Sequence, residues 1–219
     1  MHIVITGANR GIGLALTQYY LAQGHKVTAV CRQNSSALEA TQAHIISNID
    51  MSNEATLTDL THQLQDQSID ILINNAGILH SETLHEFNSN TIEQQFQVNA
   101  LAPINVTRML LPQLHSGSKV AVITSRMGSI ADNGSGGYYG YRMSKAALNA
   151  GAKSLAIDLA PQGISVAILH PGFVQTDMVG HAGDISAETA AQRLAARIEN
   201  LKPENTGTFW HSNGEVLPW

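Results

Sequence analysis

Residues 1–13 read MHIVITGANRGIG, an apolar run that breaks directly into a turn carrying Gly7, Gly11 and Gly13. HIVIT reads as a short strand, and GIGLALTQYYLAQG after it has the apolar spacing of a helix. Between a strand and a helix, glycine has three mechanical uses: it permits a tight turn, lets backbone amides approach a pyrophosphate, and lets helix and strand pack closely. The helix that follows turns unpaired N–H groups and a partial positive charge toward any anion held there. A tight loop without a ligand is the competing reading, but the position after a strand and at a helix start is the one a nucleotide site requires. No GK[ST] follows, so the lysine of a nucleoside-triphosphate loop is missing and that chemistry is disfavoured.

The same alternation continues along the chain. KVTAVC, AHIIS, DILIN, KVAVITS, GISVAIL and TGTFWHS read as further strands, making seven with the first. Between them lie a short polar helix, EATLTDLTHQLQ, a long helix from about Thr91 to His115, another from about Tyr139 to Leu159, and SAETAAQRLAARIENL. The middle strands are continuous apolar runs, as expected where helices cover both faces of a parallel sheet. The expected fold is α/β: a Rossmann-type, doubly wound parallel sheet of seven strands, in a single domain over residues 1–219. No repeat, low-complexity tract or linker divides the chain.

With 219 residues and 43% hydrophobic content, the chain is long enough to bury a large core. A net charge of -5, with only 12 lysines and arginines spread through the sequence, argues against a nucleic-acid partner. The single cysteine, Cys31, can form no internal disulfide and fits a reducing compartment. The ten histidines fall in no HxH, HxxxH or HExxH spacing, so no metal site is expected. No segment reaches the ~20 apolar residues of a membrane span. A chain that opens in a strand is expected to carry no leader, which makes the cytoplasm the expected location.

The spacing of the first turn, G-x-x-x-G-x-G, resembles that of the short-chain dehydrogenase/reductase family rather than the commoner G-x-G-x-x-G. At the end of the second strand, where an acid would hold the ribose of NAD, the sequence reads AVCRQNSS. Arg32 stands there, with Asn34, Ser35 and Ser36 as further donors and Arg10 in the first turn. Two guanidiniums suit a 2′-phosphate and favour NADP(H); the alternative is a pair of solvated surface arginines. Asp50 resembles the family's acid that holds the adenine amino group, or else caps the next helix.

GGYYGYRMSK, residues 136–145, places Tyr141 and Lys145 four apart and therefore on one helix face. An ammonium about 4 Å from a phenol at an effective dielectric of ~20 is worth ~4 kcal/mol, roughly three pKa units, which would bring the phenol toward neutrality. Tyr138 and Arg142 form a competing pair, but a guanidinium is more often a binding or ion-pair group. Ser125 ends the strand KVAVITS, where its hydroxyl would meet a substrate oxygen. NNAG at 74–77 closes the fourth strand in a turn whose small residues suit a backbone running beside a cofactor. Asn99 interrupts an apolar helix pattern just before Pro103, where an amide is either functional or a hydrogen-bonded core residue.

In that order TGANRGIG, NNAG, VNA, Ser125, Tyr141 with Lys145, and HPGFVQTDM resemble the motif series of the short-chain dehydrogenase/reductase family along nearly the whole chain. The resemblance implies a serine, Ser125, that orients a carbonyl, and a tyrosine, Tyr141, that exchanges its proton. It also implies a lysine, Lys145, that lowers the tyrosine pKa and holds the nicotinamide ribose, and an asparagine, Asn99, on a water-linked proton path. It places NADP(H) on Gly7, Asn9, Arg10, Gly11, Ile12 and Gly13, on Arg32 and Asp50, and on Asn74, Asn75, Ala76 and Gly77. Tyr141, Lys145, Pro171, Gly172, Val174 and Thr176 complete that set, Thr176 meeting the nicotinamide carboxamide.

Ser125 and Tyr141 are 16 positions apart, more than is usual in the family, so SIADNGSGGYYGY carries a short insertion beside the site. Within the family the chain is most similar to the branch of bacterial C-factor and sniffer-type carbonyl reductases. The implied activity is NADPH-dependent reduction of a ketone or aldehyde, or oxidation of the alcohol; the alternative is a C-factor-like signalling protein acting through a partner surface. The short loop DMVGHAGDISAETAA implies an open pocket, with His80, Met127, Tyr138, Tyr139 and Met178 as its walls or as ordinary packing. Family habit implies a homodimer or homotetramer paired through the Asn99 and Tyr141 helices.

Overall fold

The computed structural model describes residues 1–219. Seven strands form one parallel sheet: β1 (His2–Thr6), β2 (Lys26–Val30), β3 (His44–Ile46), β4 (Ile69–Asn74), β5 (Leu114–Ile123), β6 (Ser165–His170) and β7 (Phe209–His211). Their spatial order is β3-β2-β1-β4-β5-β6-β7. The chain winds outward from β1 to β3, then returns to the other side of β1 as β4, so the crevice of the doubly wound sheet opens at the carboxyl ends of β1 and β4.

Seven α-helices flank the sheet: α1 (Gly11–Ala22), α2 (Ser36–Glu39), α3 (Glu54–Leu64), α4 (Ser89–Phe96), α5 (Ala102–Met109), α6 (Tyr139–Leu159) and α7 (Ala187–Glu199). Successive strand residues alternate between two cores. Val4, Leu72, Val120 and Val166 pack with α3, α5 and α6, whereas Ile5, Ile73, Ala121 and Ala167 pack with α1 and α7. Burial on both faces is why these strands read as unbroken apolar runs. No helix is long and apolar enough to cross a membrane.

The long helix expected from Thr91 to His115 is not one helix. A π segment, Gln97–Leu101, separates α4 from α5, with the Ala102 N–H reaching back five residues to the Gln97 carbonyl. Pro103 has no N–H to return to the carbonyl of Asn99, so the turn widens there. A 3-10 turn over Leu111–Gln113 then ends the helical stretch, and β5 begins at Leu114, ahead of the expected start.

Candidate active site

The first turn is built by mutual exclusion. Gly7 has φ +65°, and a Cβ on it would lie 2.8 Å from the Ala76 Cα; a Cβ on Gly13 would run into the Gly7 carbonyl oxygen. Across the crevice Thr6 Oγ1 accepts the N–H groups of Asn75 and Ala76 at 3.0 and 3.1 Å. Asn75 Nδ2 donates to the carbonyls of Thr6 and Gly7 at 3.0 and 3.1 Å. Arg10, at the N-cap of α1, lends no side-chain cap, and no acid stands in the first turn. The amides of this helix start therefore face the crevice uncapped, in a cradle that any Cβ would fill, which fits a bound pyrophosphate.

A cleft of about 1310 Å³ runs from this turn along the carboxyl edge of the sheet. Gly7, Asn9, Arg10, Gly11, Ile12, Arg32, Asp50, Asn75, Ala76, Gly77, Tyr141, Lys145, Pro171 and Thr176 line it. Gly13, Asn99, Ser125, Gly172 and Val174 lie outside its lining. Asn74 does too: its Nδ2 donates to Thr107 Oγ1 at 3.0 Å on the α5 side of the sheet, and its oxygen has no partner. Of the expected pocket walls only Met178 lines the cleft; Gln33, beside Arg32, was not anticipated.

Arg32 is exposed and in no ion pair, whereas Arg10 Nη1 lies 3.3 Å from Asp177 Oδ2. Asn34 and Ser35 are already engaged. Asn34 bonds Glu39 and the Ser35 amide, and Ser35 caps α2 while donating to the Asn9 carbonyl. Asp50 is not the cap of α3, a role taken by Asn53, which accepts the Ala55 N–H. Asp50 Oδ1 accepts the Ser52 hydroxyl and amide at 2.7 and 2.9 Å; with Arg32 nearby, these hold its carboxyl below the usual range.

At the cleft floor the face of α6 carries Tyr141 and Lys145, 9% and 4% exposed. Lys145 Nζ donates to the Ile123 carbonyl at 2.9 Å and lies 5.7 Å from the centre of the Tyr141 ring. Burial pushes Tyr141 up to about 12, the Ser125 hydroxyl pulling the other way. Burial also brings Lys145 down to about 8. The expected ammonium-to-phenol pull is therefore not what sets the phenol's titration: both groups are stripped of water, and the ammonium is turned to a backbone carbonyl.

Ser125, 7% exposed, lies two residues past β5 and starts a 3-10 turn, Arg126–Gly128, its Oγ accepting the Met127 N–H at 3.1 Å. That lone pair is used, so the hydroxyl proton is left to donate. Gly128, unremarked in the sequence, lets this turn touch α6: a Cβ there would sit 2.7 Å from the Lys145 carbonyl carbon. Asn99 is fully buried in the π segment. Its Oδ1 accepts the Ile78 N–H at 2.8 Å, and its Nδ2 donates to the Ile78 carbonyl at 2.8 Å and to Ser144 Oγ at 3.1 Å. Arg142 is occupied by the inserted segment, donating to the carbonyls of Gly136 and Gly137 and to Ser135 Oγ. No group of three or more His, Cys, Asp or Glu side chains is placed to hold a metal ion.

Residues 1–187 match the model of the short chain dehydrogenase family. The chain is 33% identical over 223 residues to a 1-hydroxy-2-glutathionyl-2-methyl-3-butene dehydrogenase of Rhodococcus sp., covering 99% of both. It is 43% identical over 154 residues to the C-signal of Myxococcus xanthus, covering 69% of this chain and 93% of that one. Among solved structures, the carbonyl reductase Sniffer of D. melanogaster superposes with a TM-score of 0.89 at 32% identity, covering 100% of this chain and 99% of that one. An NADPH-bound carbonyl reductase from chicken fatty liver superposes with a TM-score of 0.88 at 27% identity, covering 100% and 98%. With its seven-stranded parallel sheet, its glycine turn at the switch point and these relatives, the chain belongs to the short-chain dehydrogenase/reductase family of oxidoreductases, on the side of Sniffer and C-signal.

Proposed function

We propose that this protein is an NADPH-dependent reductase of a ketone or aldehyde, with Tyr141 as the general acid. The observation that carries the reading is a phenol buried at the floor of the cleft, beside a serine hydroxyl free to donate and a lysine on the same helix face. When bound, the reduced nicotinamide supplies a hydride to the carbonyl carbon. Ser125 then orients the carbonyl oxygen, and Tyr141 gives its proton to the alkoxide that develops there. A phenol pushed up to about 12 keeps that proton until the alkoxide charge appears. Lys145 lines the same cleft with its Nζ 5.7 Å from the centre of the phenol ring, and would hold the nicotinamide ribose when the cofactor is bound.

The exposed Arg32 supports NADPH over NADH, and the NADPH-bound relative is consistent with it. The protein acts on a small carbonyl or alcohol, as a homodimer or homotetramer, in the cytoplasm, as a single domain. The likeness to C-signal favours a second reading, a signalling protein that keeps the fold but acts through a partner surface. Tyr141→Phe separates the two. In a screen of carbonyls followed by NADPH absorbance, it lowers kcat at least ~100-fold for a reductase, the scale of general-acid loss. Undiminished turnover in that variant would sink the assignment.

A further inference from the structure

Along α4 and the π segment, Thr91, Gln95 and Asn99 stand four apart and face one strip of chain. That strip is the loop after β4, and every second residue of it is gripped. Asn99 takes both backbone groups of Ile78. Gln95 Oε1 accepts the His80 N–H at 2.9 Å. Gln95 Nε2 and Thr91 Oγ1 donate to Glu82 Oε1 at 2.8 and 2.7 Å. Four helical residues rise about 6 Å and two extended residues roughly 6.6 Å, so the two rows stay in step.

The ladder ends on the catalytic helix. Glu82 is 2% exposed, and no cation pairs with it. Its Oε2 accepts the Gly140 N–H at 3.1 Å, and its carbonyl accepts the Tyr138 N–H at 2.8 Å. Tyr138, at the N-cap of α6, has φ +52° and no side-chain cap, and no acid stands in the first turn of the helix. A carboxylate from 58 positions away therefore meets the positive pole of α6, one residue before Tyr141. Gly140 completes the clamp: a Cβ there would strike Gln95 Nε2 and lie 2.9 Å from the Ile92 Cα.

We propose that Glu82 is a positioning residue for Tyr141: its buried carboxylate caps α6 from outside the helix and fixes where the phenol enters the cleft. Glu82 does not line the cleft, so it acts through the helix and not on cofactor or substrate. The proposal rests on the reductase reading, and its test separates the two.

Glu82→Gln keeps the shape but sets an amide NH₂ against one of three donors; Glu82→Ala removes the cap. Each is compared with wild type and Tyr141→Phe for kcat, carbonyl KM, NADPH affinity by fluorescence, and amide hydrogen exchange. The expected result is a kcat lower by about 10-fold in Glu82→Gln and about 100-fold in Glu82→Ala, the scale of a misplaced catalytic group. KM and NADPH affinity stay within about twofold, and exchange at 139–141 quickens about tenfold while the first glycine turn is unchanged. A folded Glu82→Gln protein with wild-type kcat, or one whose loss lies in NADPH affinity, overturns the proposal; that variant decides if Glu82→Ala does not fold. Should wild type reduce no carbonyl, the reductase reading fails, and unaltered exchange at 139–141 in Glu82→Gln still overturns the positioning role.

Discussion

Replacing Lys145 by methionine should make the protein more stable at neutral pH while disabling it. The ammonium is 4% exposed, and burial takes its pKa from 10.5 to about 8. At ~1.4 kcal/mol per unit, keeping that charge in the folded state at pH 7 costs about 3 kcal/mol. The hydrogen bond from Nζ to the Ile123 carbonyl returns about 2 kcal/mol, the worth of a charge-assisted bond. A methionine of similar length loses both terms, so Lys145→Met gains about 1 kcal/mol at pH 7. The gap then narrows with pH. Because the folded pKa lies below the unfolded one, the unfolded wild-type chain holds more protons between about pH 8 and 10.5, and wild-type stability rises across that window. By pH 9.5 about 2 kcal/mol of the cost is gone, but the amine is by then neutral and its bond to Ile123 no longer charge-assisted, so the two proteins come close to equal stability. Tyr141, pushed the other way to about 12, opposes this only above about pH 10. Urea unfolding of both proteins at pH 7, 8.5 and 9.5 reads the difference directly. A gap that does not move with pH, or a variant weaker by several kcal/mol at pH 7, would refute the account of Lys145 as a costly buried charge.

Two further outcomes concern the cofactor end and the frame. Arg32→Ala should weaken NADPH binding about tenfold, steeply so at low salt, and leave NADH binding unchanged, because Arg32 is the guanidinium not already in an ion pair; fluorescence titration with both dinucleotides checks it. Asn99→Ala leaves the N–H and carbonyl of Ile78 without their partners and should cost about 2–4 kcal/mol in chemical denaturation, at the scale of two unpaired backbone groups.

The sheet was legible because strands covered on both faces must be apolar throughout, a pattern that needs no knowledge of partners. The first turn was legible for a similar reason: Gly7 and Gly13 are fixed by contacts that leave no room for a Cβ, and few residue types satisfy that. The break at Gln97–Leu101 escaped because Pro103 sits where a helix start tolerates it, so only the unreturned carbonyl of Asn99 betrays the widened turn. Glu82 and Gln95 escaped because their meaning lies in Gly140, far along the chain. The titration of Tyr141 is not legible from spacing, which gives a distance between charges, while burial, the largest influence here, is a property of the whole fold.

The stitching of Thr6 and Gly7 to Asn75 and Ala76 also orders events in time. A nascent chain that has left the ribosome only as far as α3 possesses the glycines but not the neighbours that shape them. Affinity for a dinucleotide should thus arise only once β4 has been translated and inserted beside β1, so an early fragment gains no protection from cofactor in the cell.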